Sequence, residues 1–163
     1  MATVKRILAI DIGGTGLKAA IVGPDGSFLK DRVRMDTPSD CPPAKMVALL
    51  AKLVEPLGAF DRVTIGFPGM IKRGRVISAP NLGSERWHGF ALESAMQKRL
   101  NKPVKLLNDA DVQGLAAIRG NGLELVCTLG TGLGTAWFRD GELMPHMDLA
   151  HLTAHKKDDF DIY

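Results

Sequence analysis

The chain has 163 residues, a formal charge of only +3, and 45% hydrophobic against 24% charged side chains, an ordinary globular balance with room for one domain, or one lobe and part of another. Its basic residues are scattered, Lys156-Lys157 is answered at once by Asp158-Asp159, and the few aromatics do not interleave with the positive charges, which argues against nucleic acid as a partner. No apolar run is long enough to cross a membrane, no secretory leader pattern opens the chain, and Cys41 and Cys127 stand in no metal-ligand spacing, so the expectation is a cytoplasmic protein without a membrane partner.

Val4 to Ile10 is a β-branched apolar run, the pattern of a strand buried on both faces. Gly13, Gly14 and Gly16 follow, then a second strand over Leu17–Val22, a turn at Gly23-Pro24-Asp25-Gly26 and a third strand over Ser27–Met35. Short glycine turns between three strands predict an antiparallel meander. A helix is expected from Ala44 to Leu57, with Met46, Leu49, Leu50, Leu53 and Leu57 on one stripe and Pro56 ending it. A fourth strand over Arg62–Phe67, a hairpin around Lys72-Arg73-Gly74-Arg75, a helix over Phe90–Leu100 and a fifth strand over Pro103–Leu107 come next. Asp109–Arg119 reads as a helix capped by Asn108. Beyond Asn121-Gly122 two further strands, Leu125–Leu129 and Thr135–Phe138, flank a second glycine loop, and Asp140-Gly141 is a hairpin turn. The expected organisation is an α/β unit over residues 1–120 and the beginning of a second lobe over 121–163, too few strands to close a core.

The chemistry concentrates in two loops and a carboxylate. In Asp11-Ile12-Gly13-Gly14-Thr15-Gly16-Leu17-Lys18 the glycines let backbone N–H groups approach phosphate oxygens. A Walker or dinucleotide loop would open a helix, whereas this loop leads into a strand, so both of those readings fail. Asp11 can hold Mg²⁺ directly or through water, and Lys18 can approach a phosphate; the plainer alternatives are a tight turn and a solvated lysine. Leu129-Gly130-Thr131-Gly132-Leu133-Gly134-Thr135 repeats the device. Asn108-Asp109-Ala110-Asp111 lies between strand and helix, where helix capping is the plain role and Asp109 as proton acceptor for an attacking hydroxyl is the chemical one.

Taken together these pieces resemble the ROK family of sugar kinases and repressors, and within it the polyphosphate-using glucokinases. The match is carried by the two glycine loops, Gly66-Phe67-Pro68-Gly69, Ala79-Pro80-Asn81-Leu82 and Leu107-Asn108-Asp109-Ala110-Asp111, in family order over residues 5–151. The resemblance implies an actin-like ATPase (RNase H-like) lobe with a mixed five-stranded sheet and an incomplete second lobe. It implies Asp109 as the catalytic base. Phosphate and Mg²⁺ would be held by Asp11, Gly13, Gly14, Thr15, Lys18, Gly130, Thr131 and Gly132. The sugar would be held by Asn81, Asn108, Asp148 and His151, with Gly66 and Gly69 shaping the cleft wall. Polyphosphate or ATP would be the phosphoryl donor, and a homodimer is left open.

Three departures qualify the match. The family's Glu-x-Gly-His sugar clamp is Asp148-Leu149-Ala150-His151 here, with a shorter acid and a stiffer backbone. The zinc-binding cysteines of many members are absent, so no zinc site is expected, and His146, His151 and His155 are expected to be solvated or sugar-facing. The chain also ends before family members complete their second lobe, so a truncated chain is expected. The leading expectation is a kinase that phosphorylates the 6-hydroxyl of glucose or a related hexose. The alternatives are a non-catalytic sugar-binding or regulatory protein on the same scaffold, and a bare ATPase.

Overall fold

The computed structural model describes residues 5–129 and 133–147. Its main sheet runs in the order β3-β2-β1-β4-β7: β1 (Ile7–Ile12), β2 (Gly16–Val22) and β3 (Val33–Asp36) form the antiparallel meander, while β4 (Arg62–Phe67) and β7 (Val104–Asn108) lie parallel to β1. Parallel neighbours need long crossovers. The first is supplied by α1 (Pro43–Val54) with a single 3-10 turn at Glu55–Leu57. The second contains a small hairpin, β5 (Ile71–Lys72) with β6 (Arg75–Val76), then α2 (Ser84–Trp87) and α3 (Leu92–Leu100). In that hairpin Arg73 and Gly74 take φ of 50° and 72°, the two left-handed positions that suit the twist of a two-residue connection.

The pleat sorts the sheet into a core face and a site face. Leu8, Ile10 and Ile12 of β1 stand in register with Val63 and Ile65 of β4 and with Ile21, Ala19 and Leu17 of β2, and all are buried. Met46, Leu50, Leu53, Leu92 and Met96 from α1 and α3 complete this core. Trp87 sits fully buried between the rings of Phe67 and Phe90, with centroids 5.1 and 6.0 Å away, and its indole N–H donates to Cys41 O at 3.2 Å. The alternate residues, Asp11, Lys18 and Gly66, therefore face the other side of the sheet.

On that other side lies α4 (Asp109–Ala117), followed by a second sheet of β8 (Leu123–Leu129), β9 (Leu133–Arg139) and β10 (Glu142–Leu143). Contact between α4 and β9 is close: a methyl group added to Gly114 would lie 2.6 Å from the Phe138 ring, and Phe138 and Ala136 are buried there. On β8 the alternation runs the other way, and Leu123, Leu125 and Leu129 are exposed.

Several expectations shift. The third strand does not begin at Ser27; Leu29 N still donates to Ile21 O, but the charged run Lys30-Asp31-Arg32 leaves the sheet and pairing resumes only at Val33. The first helix stops at Val54, because Pro56 has no N–H to continue the ladder, and ends in the 3-10 turn. The second helix begins at Leu92 rather than Phe90, and α2 is a helical turn that the sequence reading did not separate from its loop. The last helix ends at Ala117, two residues early, where Ile118 turns extended.

Candidate active site

The carboxyl ends of the three parallel strands gather the candidate residues. Asp11 of β1 is paired in register with Gly66 of β4, and Gly66 with Leu107 of β7, just before Asn108 and Asp109. A Cβ on Gly66 would lie 3.6 Å from Asp109 Cα, ordinary van der Waals contact, which places the start of α4 directly over this end of β4. Ligands of open α/β sheets bind at this end of the strands.

Asn108 closes β7 and caps α4. Its Oδ1 accepts from Ala110 N at 2.8 Å and Asp111 N at 3.3 Å, and its Nδ2 donates to Gly69 O at 3.1 Å. The side chain is 7% exposed and in register with Phe67, on the core face. Its capping role is explicit, and one amide N–H is not used by these three bonds.

Asp109 begins the helix half-buried, and its Oδ1 accepts from Ala110 N at 2.9 Å. Burial holds its carboxyl above the ordinary value of 3.8, an effect opposed by the amides of Ala110 and Asp109, strengthened by the charge of Asp11 and weakened by His146. The charge of Asp11, from the end of β1, is thus among those that act on the Asp109 carboxyl.

The first glycine loop is a tight hairpin closed by Gly13 N donating to Gly16 O at 3.0 Å. Thr37, which the sequence reading passed over, clamps it: its hydroxyl donates to Gly13 O at 2.7 Å and its N–H to Thr15 O at 3.2 Å. The residue signal was weak, since a threonine after a strand is common. Asn81 packs on the loop itself; a Cβ on Gly14 would lie 3.3 Å from Asn81 Cβ. A cleft of about 420 Å³ opens beside Asn81 toward Asp40 and Arg86, and two larger depressions lie away from these residues.

Lys18 Nζ donates to Asp11 Oδ2 at 3.0 Å, with the two side chains 39% and 50% exposed. That exposure makes the pair a weak contributor to stability, about 0–1 kcal/mol. It leaves the Lys18 ammonium partly open to solvent. Lys18→Met is expected to leave the melting temperature within a few degrees of wild type while raising the apparent KM for the phosphoryl donor about tenfold, read by donor titration.

The second glycine loop's Gly130, Thr131 and Gly132 lie outside the described residues, as do Asp148 and His151. The strands that flank the loop are anchored beside Asp109: a Cβ on Gly134 would lie 2.8 Å from Ala110 Cβ. His146 is not solvated. Its Nδ1 lies 3.0 Å from Asp111 Oδ1, and the two side chains are 11% and 5% exposed. Among the described residues no three His, Cys, Asp or Glu side chains converge on a metal site. What the described residues can offer a cation is chiefly the half-exposed carboxylate of Asp11.

A five-stranded mixed sheet in this order, with a glycine hairpin after its first strand and a carboxylate after its last, is the lobe of an actin-like ATPase fold. The ROK family model matches residues 7–150, and the chain belongs to the ROK family. It is 33% identical to a polyphosphate glucokinase of Mycobacterium leprae over 94% of this chain and 49% of that protein. It is 37% identical to an N-acetylmannosamine kinase of Escherichia coli over 84% of this chain and 48% of that one. The crystal structure of an inorganic polyphosphate/ATP-glucomannokinase from Arthrobacter superimposes with a TM-score of 0.83 and 36% identity, over 93% of this chain and 65% of that one. The chain thus spans about half to two thirds of the length of these relatives.

Proposed function

We propose that this chain carries the phosphate-binding and catalytic part of a sugar kinase, which transfers a phosphoryl group from polyphosphate or ATP to the 6-hydroxyl of glucose or a related hexose. One observation supports this above the others: Asp109 stands at the C-terminal edge of the parallel strands, against Gly66 and within the field of Asp11, the residue that leads from β1 toward the glycine hairpin on which Asn81 packs. The relatives named above are kinases of hexoses or of an N-acetylhexosamine, which favours a sugar acceptor over a bare ATPase. In the same reading, residues 1–120 form one lobe, residues 121–163 begin the second, and the setting is cytoplasmic.

The chain's residues divide the work as follows. Asp109 accepts the hydroxyl proton as the sugar oxygen bonds to the terminal phosphorus; the bond from phosphorus to the donor's bridging oxygen breaks, and ADP or a shortened polyphosphate leaves. Asn81 orients the sugar, Asn108 fixes the start of α4, and Lys18 with the hairpin amides of Gly14 and Thr15 neutralises phosphate charge, while the Gly13 amide closes the hairpin. Gly130, Thr131 and Gly132 would add a second set of amides, and Asp148 with His151 a sugar clamp. The donor set at Asp11 fits Mg²⁺, a hard cation that takes one or two carboxylates and completes its shell with water and substrate phosphates. When bound, Mg²⁺ supplies charge neutralisation on the donor.

The test is sugar phosphate formation by the full chain, with glucose, mannose and N-acetylmannosamine offered in turn and ATP and polyphosphate supplied separately. Product with one hexose and either donor is expected. Sugar binding without product under every combination would instead favour the non-catalytic reading, which Asp148 and Ala150, in place of Glu and Gly, keep in view.

A further inference from the structure

The register of the meander sets three charged side chains in one row across the sheet. Asp11 of β1 is opposite Lys18 of β2, and Lys18 is opposite Arg34 of β3, so all three stand on the face that carries the candidate site. Arg34 has no part in the chemistry described so far, yet its guanidinium lies against the glycine hairpin. A Cβ on Gly16 would lie 3.3 Å from Arg34 Nε and 3.5 Å from its Nη2. Two cations directly opposite on neighbouring strands repel one another, an arrangement that an anion between them would relieve. The nearby carboxylates do not fully offset it. Asp11 holds Lys18 at 3.0 Å, but it is also the group whose donors fit Mg²⁺. Asp36, two residues further along β3 on the same face, stays 3.8 Å from the Arg34 guanidinium, with the side chains 91% and 64% exposed. That is well beyond the length of a charge-assisted hydrogen bond, so the fork of Arg34 is only loosely engaged.

We propose that Arg34 is a second cation for the phosphoryl donor, binding a phosphate beyond the transferred one, and that it favours an extended polyphosphate over a nucleotide. This rests on the sugar-kinase reading and deepens it by choosing between its two donors. Adjacent strands set the members of the row about 4.8 Å apart at each step, and a chain of condensed phosphates offers negative charge at every one of them. β3 is the edge of the sheet, so a long chain can run past Arg34 into solvent without meeting another strand. A nucleoside triphosphate presents the same first phosphates and then a neutral nucleoside, with no charge left for a guanidinium. The planar fork of Arg34 can take two oxygens of one phosphate at once, which the ammonium of Lys18 cannot do.

Donor titrations of the full chain with medium-chain inorganic polyphosphate and with ATP, at saturating hexose, decide the matter, together with calorimetric binding of the same polyphosphate to the free enzyme. Arg34→Met is expected to raise the polyphosphate KM and Kd about tenfold, with the ATP KM, the hexose KM and kcat within about threefold of wild type. Its melting temperature should stay within a few degrees, because the side chain is exposed. Arg34→Lys, which keeps the charge and loses the fork, should recover part of the loss. Lys102→Met, which removes an exposed cation just before β7 at the opposite edge of the sheet, should change neither donor. Unchanged polyphosphate KM and Kd in Arg34→Met, an equal rise for both donors, or the same loss in Lys102→Met would overturn the assignment. So would a wild-type chain that uses ATP alone and binds no polyphosphate, and each of these outcomes leaves the kinase reading intact. A wild-type chain that forms no sugar phosphate with any hexose and either donor overturns both together.

Discussion

Asp109→Asn is expected to lower kcat by about 10²–10⁴-fold or more while leaving sugar affinity within a few-fold of wild type. The amide cannot accept the hydroxyl proton, yet it keeps an oxygen to receive the Ala110 N–H that Asp109 Oδ1 accepts at 2.9 Å. The same substitution is expected to stabilise the fold at neutral pH. Burial holds the Asp109 carboxyl above 3.8, so the folded chain binds that proton more tightly than the unfolded one. The protonated acid's stabilising contribution is complete below 3.8 and is lost as pH rises through the folded value. The gain from Asn should therefore be absent in acid, appear across that window and level off above it. Melting curves of both proteins from acid to neutral pH, set beside their turnover, test the two halves. An Asn variant that turns over normally would remove Asp109 from the chemistry. One that gains no stability with rising pH would remove the burial argument.

Gly69→Ala is expected to be the most damaging small substitution in the cleft wall. A Cβ there would lie 2.1 Å from Ser78 O and 2.9 Å from Ser78 C, backbone atoms with no rotamer to yield. The connection would have to open, disturbing the bonds that hold it: Gly69 N to Phe67 O at 2.9 Å, Met70 N to Ser78 Oγ at 3.0 Å and Ile77 N to Met70 O at 2.8 Å. Asn108 would lose its Gly69 O acceptor, and with it the brace on the start of α4. A cost of about 2–3 kcal/mol follows, which for a chain of this size lowers the melting temperature by about 5–10 °C. By contrast, Gly26→Ala meets nothing within 4 Å and incurs only left-handed backbone strain at φ 81°, about 1 kcal/mol. Equal melting temperatures for the two variants would contradict the steric account.

Local pattern made much of this legible in advance. The apolar run of β1, the glycine hairpin, the Arg62–Phe67 strand and the Asn108 cap each follow from signals carried within a few neighbouring residues; the last three stand where those signals place them, while β1 runs over Ile7–Ile12 rather than Val4–Ile10. What escaped depended on the pleat or on distant partners. Nothing near Asn108 tells that register with Phe67 turns its amide toward the core face and Gly69 O. Nothing near His146 announces Asp111, so a histidine that composition suggested was solvated is one of the more buried polar side chains. Thr37 was invisible because its role is to clamp a hairpin more than twenty residues earlier. The third strand was overextended because alternation alone carried the prediction across Lys30-Asp31-Arg32, where the charges leave the sheet.

The account turns on the carboxylate of Asp109 meeting the hydroxyl that attacks the donor. The direct measurement is a crystal structure of the full chain with a hexose and a non-hydrolysable donor. The 6-hydroxyl should lie about 2.6–3.2 Å from an Asp109 oxygen, with the donor's terminal phosphate between it and the Asp11–Lys18 pair. A hexose seated with no hydroxyl in reach of Asp109, or a phosphate bound away from the first glycine hairpin, would contradict it.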